Sequence, residues 1–375
     1  MQEEDFATVA LSRTVGVGPV VFRQLVRSFG SATEVLRAGP RDLRQITGVS
    51  REIAGRITGA ANLKEAERIV AFCEQYEVQI LTAGQGNYPR ALQPFEKAPA
   101  VLYYRGTADL HNPRTLAVVG TRRTSGEAGR QIERLLNPLT EYEPLIVSGL
   151  AYGVDTAAHR RALALGLPTL AVLGSGFRYI YPYANRKLAA EMVERGGGLL
   201  TEYPPWVTPE REHFPARNRI VAMLSEMTLV VESDISGGSI ITANMAHEAG
   251  RKVGACPGRG GDRSTAGCNA LIREGKAYLV DGPEDIVRLL NWEPAARGQQ
   301  QLQLFHSLPP EEQLLVGCLQ TEDDGMRIDE LCHRLQLPPA KLAGQLLNLE
   351  MQGILTALPG QRYRLSAATP IPRAP

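Results

Sequence analysis

Residues 115–136, TLAVVGTRRTSGEAGRQIERLL, decide the fold. Thr115–Val119 is an unbroken apolar run rich in β-branched residues, the pattern of a strand buried on both faces. Gly120 ends it, and a polar loop of Thr121, Arg122, Arg123 and Thr124 follows. A candidate helix follows over Glu127–Leu136. A buried strand feeding straight into an amphipathic helix is the first half of a parallel crossover unit.

The unit repeats outward from there. Apolar runs at Leu145–Val147, Thr169–Leu173, Leu199–Thr201, Thr228–Val231, Val253–Cys256 and Ala277–Val280 alternate with helical stretches. Those stretches are Asp155–Leu165, Arg186–Arg195, Ile240–Gly250 and Gly267–Glu274. The alternation predicts an α/β domain over residues 77–292, a Rossmann-like, doubly wound, mostly parallel sheet covered on both faces.

Residues 1–76 read as short helices joined by glycine turns, at Val15-Gly16-Val17-Gly18-Pro19 and Ile46-Thr47-Gly48-Val49-Ser50. This resembles a tandem helix-hairpin-helix unit, whose turn amides can hold a DNA phosphate. It equally fits a small helical bundle whose glycines permit tight turns, and ten basic against nine acidic residues over 1–75 leave no strong electrostatic footprint. Residues 293–309, rich in glutamine toward Gln303, carry no periodic pattern and read as a linker. Residues 310–366 then show three helices and a hairpin turning at Pro359-Gly360, the order of a winged helix, and the tail with Pro370, Pro372 and Pro375 is expected to fray.

Composition narrows the class. With 43% hydrophobic and 22% charged residues in 375, the chain is not mostly disordered and is long enough for several domains. No apolar run approaches the ~18 residues that span a bilayer, and the N-terminus, Met1-Gln2-Glu3-Glu4-Asp5, has the wrong charge for a targeting signal. Five scattered cysteines without a C-x-x-C pair suit reduced thiols in the cytoplasm rather than a disulfide framework or zinc site. A net charge of +1 excludes a global polycation, so a nucleic-acid partner requires a local basic patch.

That patch is expected at the carboxyl ends of the strands, where open α/β sheets bind ligands. Four loops rich in glycine and serine fall there: Gly120–Gly126, Ser148–Asp155, Gly174–Asn185 and Glu232–Ser239. Arg122, Arg123, Arg178, Arg186, Lys187, Arg217, Arg219, Arg251 and Lys252 lie on or just after these or neighbouring loops and predict a basic crown. A dinucleotide fingerprint fails: Tyr179 stands where its last glycine belongs, and Arg122 puts a bulky cation where the pyrophosphate must approach. A P-loop, a G-x-S-x-G elbow and an H-E-x-x-H pair are all absent from the sequence. His159 and Asp155, four apart on a helix, read as a structural pair. No catalytic residue, metal site or cofactor is therefore predicted.

Five motifs in order carry a resemblance. They are Val118-Val119-Gly120-Thr121-Arg122-x-x-Ser125, Val147-Ser148-Gly149-Leu150-Ala151-x-Gly153-Val154-Asp155-x-x-Ala158-His159, Tyr181-Pro182-x-x-Asn185, Phe214-Pro215-x-Arg217-Asn218-Arg219-Ile220 and Ser236-Gly237-Gly238-Ser239-x-x-Thr242-Ala243. The set resembles the bacterial DNA-processing protein A (DprA/Smf) family. The resemblance implies a cytosolic protein of natural transformation that binds and protects incoming single-stranded DNA, loads RecA onto it and is not an enzyme. Other competence or single-strand-binding proteins are further candidate partners, and no membrane is involved. Arg122 matches the family's DNA-contacting arginine and Ser125 its motif serine.

The remaining candidate contacts are Gly120, Arg123, Gly149, Gly153, Arg178, Tyr181, Asn185, Lys187, Arg217, Asn218, Arg219, Gly238 and Ser239. Tyr181 and Phe214 could stack bases or be buried core aromatics. The family dimerises near an S-x-G-x-N-x-L-I motif. Ser264-x-x-Gly267-x-Asn269-x-Leu271-Ile272 resembles it with one extra residue, which points to Leu271 and Ile272 as the homodimer contact.

Two rival functions fit the sequence less well. The Gly237-Gly238-Ser239 loop resembles the P-G-G-x-G-T-x-x-E loop of nucleotide phosphoribohydrolases, but Asn244 stands where the catalytic carboxylate belongs. No acid/base then serves the glycosidic bond. A duplex-reading winged helix fits poorly, because residues 310–366 hold five basic and eight acidic residues and the candidate recognition helix carries only Lys341 as a cation.

Overall fold

The computed structural model describes residues 2–294, 310–319, 325–351, 354–358 and 360–365. The expected linker beyond residue 294, Pro359 and the C-terminal tail lie outside them. The chain divides into two units, Met1–Glu293 and Pro294–Pro375.

All seven expected strands form, each within a residue of its sequence bounds: β3 (Thr115–Val119), β4 (Leu145–Ser148), β5 (Thr169–Val172), β6 (Gly198–Thr201), β7 (Met227–Val230), β8 (Lys252–Ala255) and β9 (Tyr278–Leu279). Two more, β1 (Gln79–Thr82) and β2 (Val101–Gly106), extend the sheet at one edge. The order is β1-β2-β6-β5-β4-β3-β7-β8-β9. β2 runs antiparallel to β1 and β6 and every other pairing is parallel, so the sheet is doubly wound and mostly parallel. The direction of winding reverses between β3 and β7, the switch point where a crevice opens.

Alternation along β3 divides the core. Leu116 and Val118 join one apolar layer with α7 (Gly126–Leu136) and α8 (Val154–Ala164), while Ala117 and Val119 join the other with α10 (His213–Leu224) and α11 (Gly238–Glu248). α10 has no counterpart in the sequence reading. Its Pro215 sits in the first turn, where a missing N–H costs nothing, and its second half from Ile220 to Leu224 is buried. α9 (Arg186–Glu194) and α12 (Ala266–Arg273) follow β5 and β8, as expected.

The N-terminal helices pack partly on themselves and partly on the sheet. α1 (Glu3–Ser12) and α6 (Ala61–Gln75) share a buried cluster with Val101 and Tyr103 of β2, and Thr82 Oγ1 donates to Asp5 at 2.6 Å. No break in packing therefore marks the expected boundary at residues 76/77.

The second unit has helices Pro310–Leu319, Ile328–Leu335 and Pro339–Met351 around Leu315, Leu331, Leu342, Leu346 and Leu349. A three-stranded sheet of Met326–Arg327, Arg362–Leu365 and Leu355–Leu358 completes the winged helix, its short first strand being the one element the sequence did not suggest. Among the described residues no helix is long and apolar enough to cross a membrane.

Candidate nucleic-acid interface

The loops after β3, β4 and β7 meet α10 around a cleft of about 380 Å³ at the switch point. Gly120, Thr121, Arg122, Gly149, Phe214, Asn218, Gly238 and Ser239 are among its walls. A neighbouring cleft of about 540 Å³ shares Arg122, Phe214, Asn218 and Gly238 and adds Tyr181 and Arg211. Arg211 was missed from sequence because it precedes, rather than ends, a recognisable element.

One residue ties down the loop that presents Arg122. Glu232, buried at the end of β7, accepts from the Ser125 amide at 3.1 Å and from Ser125 Oγ at 2.9 Å, and its carbonyl accepts from the Thr121 amide at 2.7 Å. Ser125 Oγ also accepts from the Glu127 amide at the start of α7. The geometry thus makes Ser125 the anchor of this loop, while Arg122 and Arg123 stand exposed above it. Gly153, with φ of +78°, lets the next loop approach: a Cβ there would lie 2.2 Å from the Thr121 carbonyl. Gly120 and Gly149 serve similar close packing, against Val154 and Arg217. A Cβ on Gly238 would meet nothing within 4 Å, so the start of α11 is open to an incoming anion.

Several expected contacts turn inward. Arg217 is 3% exposed. Its guanidinium donates to the carbonyls of Gly149 and Val172 and serves as the cation for buried Asp155, whose carboxylate accepts from the amides of Gly149 and Ala151 at 3.1 and 3.2 Å. Burial pushes the Asp155 carboxyl up and Arg217 pulls it back; burial also lowers the Arg217 guanidinium to about 10. Arg219, two residues further along α10, turns to the other side of the helix and pairs with Glu202. Asn185 is buried and donates to the Leu150 carbonyl and Thr156 Oγ1, both at 2.8 Å. Ser239 Oγ is buried and donates to Ser233 Oγ. These side chains hold the loops rather than present themselves to a phosphate. Arg251 and Lys252 start β8 at the opposite end of the sheet, bonded to the Met223 and Leu289 carbonyls, and leave the crown.

What remains is coherent. Arg122, Arg123, Arg178, Arg186, Lys187 and Arg211 are exposed and have no carboxylate partner among the described residues. The nearby acid Asp234 is held by Arg263 at 2.8 Å, which keeps its carboxyl below the ordinary range. Local positive charge thus coexists with near-zero net charge. The Arg122 guanidinium lies 5.5 Å from the Phe214 ring centroid, and Tyr181 is 5.4 Å from the same ring. Tyr181 is 47% exposed, so it is a surface ring.

His159 does not pair with Asp155. Its Nδ1 lies 2.7 Å from Thr169 Oγ1, and burial followed by Arg217 lowers the ring to about 3, so it stays neutral at physiological pH. Among the described residues no cluster of three or more His, Cys, Asp or Glu could hold a metal.

At the dimer motif, Leu271 is 3% exposed and packs within the chain's own core, with Ile272 half-buried against it. Leu271 lies on α12, whose phase turns it inward. The apolar residues open at that edge are Tyr278 and Leu279 of β9, 54% and 48% exposed.

The family described as DNA recombination-mediator protein A matches residues 79–291. A DprA winged helix domain matches residues 293–361, and a DprA-like N-terminal HHH domain matches residues 2–57. Protein Smf of Synechocystis is 30% identical over 390 residues, covering 95% of this chain and 97% of the relative. The crystal structure of DNA processing protein A from Streptococcus pneumoniae superposes with a TM-score of 0.64 at 31% identity, covering 79% of this chain and all of that one. A Helicobacter pylori DNA processing protein A, whose single-stranded DNA binding mode was described, superposes with a TM-score of 0.51 at 27% identity over 58% of this chain and 98% of its own. With its central sheet and both flanking modules matched in order, the chain belongs to the DNA-processing protein A (DprA/Smf) family.

Proposed function

We propose that this protein binds single-stranded DNA across the carboxyl edge of its sheet, protects incoming strands and loads RecA onto them in the cytoplasm during natural transformation, without catalysing a reaction. The observation that carries this reading is the set of exposed cations on the loops after β3 and β5 and before α10 that lack carboxylate partners among the described residues, of which Arg122 and Arg211 line the switch-point clefts beside surface aromatic rings. Cations for phosphate and flat rings for bases are what sequence-independent single-strand binding needs. Fluorescence anisotropy with labelled single-stranded and duplex oligonucleotides across a salt series tests it. A preference for single strands with a steep salt slope is expected, and equal weak binding to both would overturn it. Incubation with nucleoside monophosphates is expected to release no free base.

The winged helix is expected to act through protein contacts. Its sequence is net acidic, and such a surface is poor for phosphates. Truncation after Trp292 should leave single-strand affinity unchanged or slightly raised. A folded truncation that binds tenfold more weakly would restore the wing as a DNA contact.

We propose that the chain homodimerises through the β9 edge, where the last strand of the described sheet carries exposed Tyr278 and Leu279. Charging Leu271 would test folding instead, because it is core. Tyr278→Asp with Leu279→Lys should give a monomer by light scattering; a surviving dimer would place the contact elsewhere.

A further inference from the structure

Three of the chain's twelve tyrosines are buried and six are exposed. Tyr88 and Tyr104 are buried and donate to the Pro99 and Ala108 carbonyls. Four of the six exposed ones, Tyr152, Tyr179, Tyr181 and Tyr183, lie on the loops after β4 and β5. Tyr152, Tyr181 and Tyr183 are 48%, 47% and 76% exposed, and none of their hydroxyls has a hydrogen-bond partner among the described residues. Exposed large aromatics cost hydrophobic free energy, so a cluster of them marks a surface that something covers.

Their setting identifies what. Tyr152 and Tyr181 line one crevice with Arg122 and Phe214. Tyr183, two residues beyond Tyr181, opens the short helical turn that runs into α9, whose first residues are Arg186 and Lys187. Rings and free cations therefore alternate over the loops after β3, β4 and β5.

We infer that Tyr152, Tyr181 and Tyr183 form a stacking platform for successive unpaired bases, with the phosphates between them held by Arg122 and the cations at the start of α9. The inference rests on the single-strand reading above and gives it a physical basis for rejecting duplex. In a duplex each base face is already stacked on its neighbours, so the tyrosines have nothing to cover. In a single strand the bases are free to turn onto the rings, and because every base has a π-face the contact needs no sequence.

The experiment compares full-length protein on two labelled strands of equal length, oligothymidylate and an abasic deoxyribose-phosphate chain. Wild type should prefer the base-bearing strand. Tyr152→Ala and Tyr183→Ala should each cut that preference at least about fivefold, the low end of stacking on one base. Tyr152→Phe and Tyr183→Phe, which keep the ring, should restore it. The salt slope should not move, since no phosphate contact is lost. Equal losses on both strands, or an unchanged preference in the alanine variants, would overturn the platform. Failure of the wild type to bind either strand would instead overturn the single-strand reading itself.

Discussion

Arg122→Glu should weaken single-strand binding at least tenfold while leaving the fold intact. The side chain is exposed, has no carboxylate partner among the described residues and lines both switch-point clefts. Its loop is fixed by Glu232 through Ser125 and Thr121, so the guanidinium meets a strand without first being ordered. Reversal turns one attraction into a repulsion next to Phe214 and Asn218. It also removes one phosphate contact, which should shallow the log–log salt dependence by about 0.7. Affinity and slope both unchanged in a folded variant would take Arg122 out of the interface.

Arg217→Met should act in a different way and about as strongly. It leaves the Asp155 carboxylate, buried and accepting from the amides of Gly149 and Ala151, without the cation that offsets its burial. Leaving a buried charge uncompensated typically costs about 3–5 kcal/mol. The pH dependence follows from the direction of the Asp155 shift. Its folded-state pKa lies above the unfolded value, so its contribution to stability is fully present below the unfolded pKa and is lost as pH rises through the folded one. Loss of Arg217 raises the folded value further, and the variant should therefore be most damaged at pH 8 and recover part of its deficit at pH 5. Urea denaturation at both pH values checks this. A deficit that grows on acidification, or a fully stable variant with a shallower DNA salt slope, would return Arg217 to the role of a phosphate contact.

The two arginines show how far local sequence carries. β3 to β8 were legible within a residue because a strand buried on both faces must be apolar throughout, and no distant information is needed to see it. α10 was not, because a helix covered on most sides lacks the polar–apolar period that announces a surface helix. Read as a loop, Phe214–Ile220 offered Arg217 and Arg219 equally to solvent. Wound as a helix, residues two apart face roughly opposite ways. One arginine then meets Gly149 and Val172 and the other Glu202. β1 and β2 escaped for a related reason, since they extend a sheet whose other strands had already explained the pattern.

The sequence by itself determined the alternation of strand, small-residue loop and helix, and with it the sheet edge on which the loops gather. Both follow from short-range periodicity and from chain direction. Only the tertiary structure decided which cations on that edge are free. A guanidinium faces solvent or a buried carbonyl according to partners dozens of residues away, and Arg122, Arg217 and Arg219 look alike until Phe214, Asp155 and Glu202 are placed beside them. The same holds for Ser125 and Leu271, whose chemistry suited an interface but whose neighbours, Glu232 and the core beneath α12, used it to hold the fold. Burial is a property of the assembled layers, and no window of local sequence contains it.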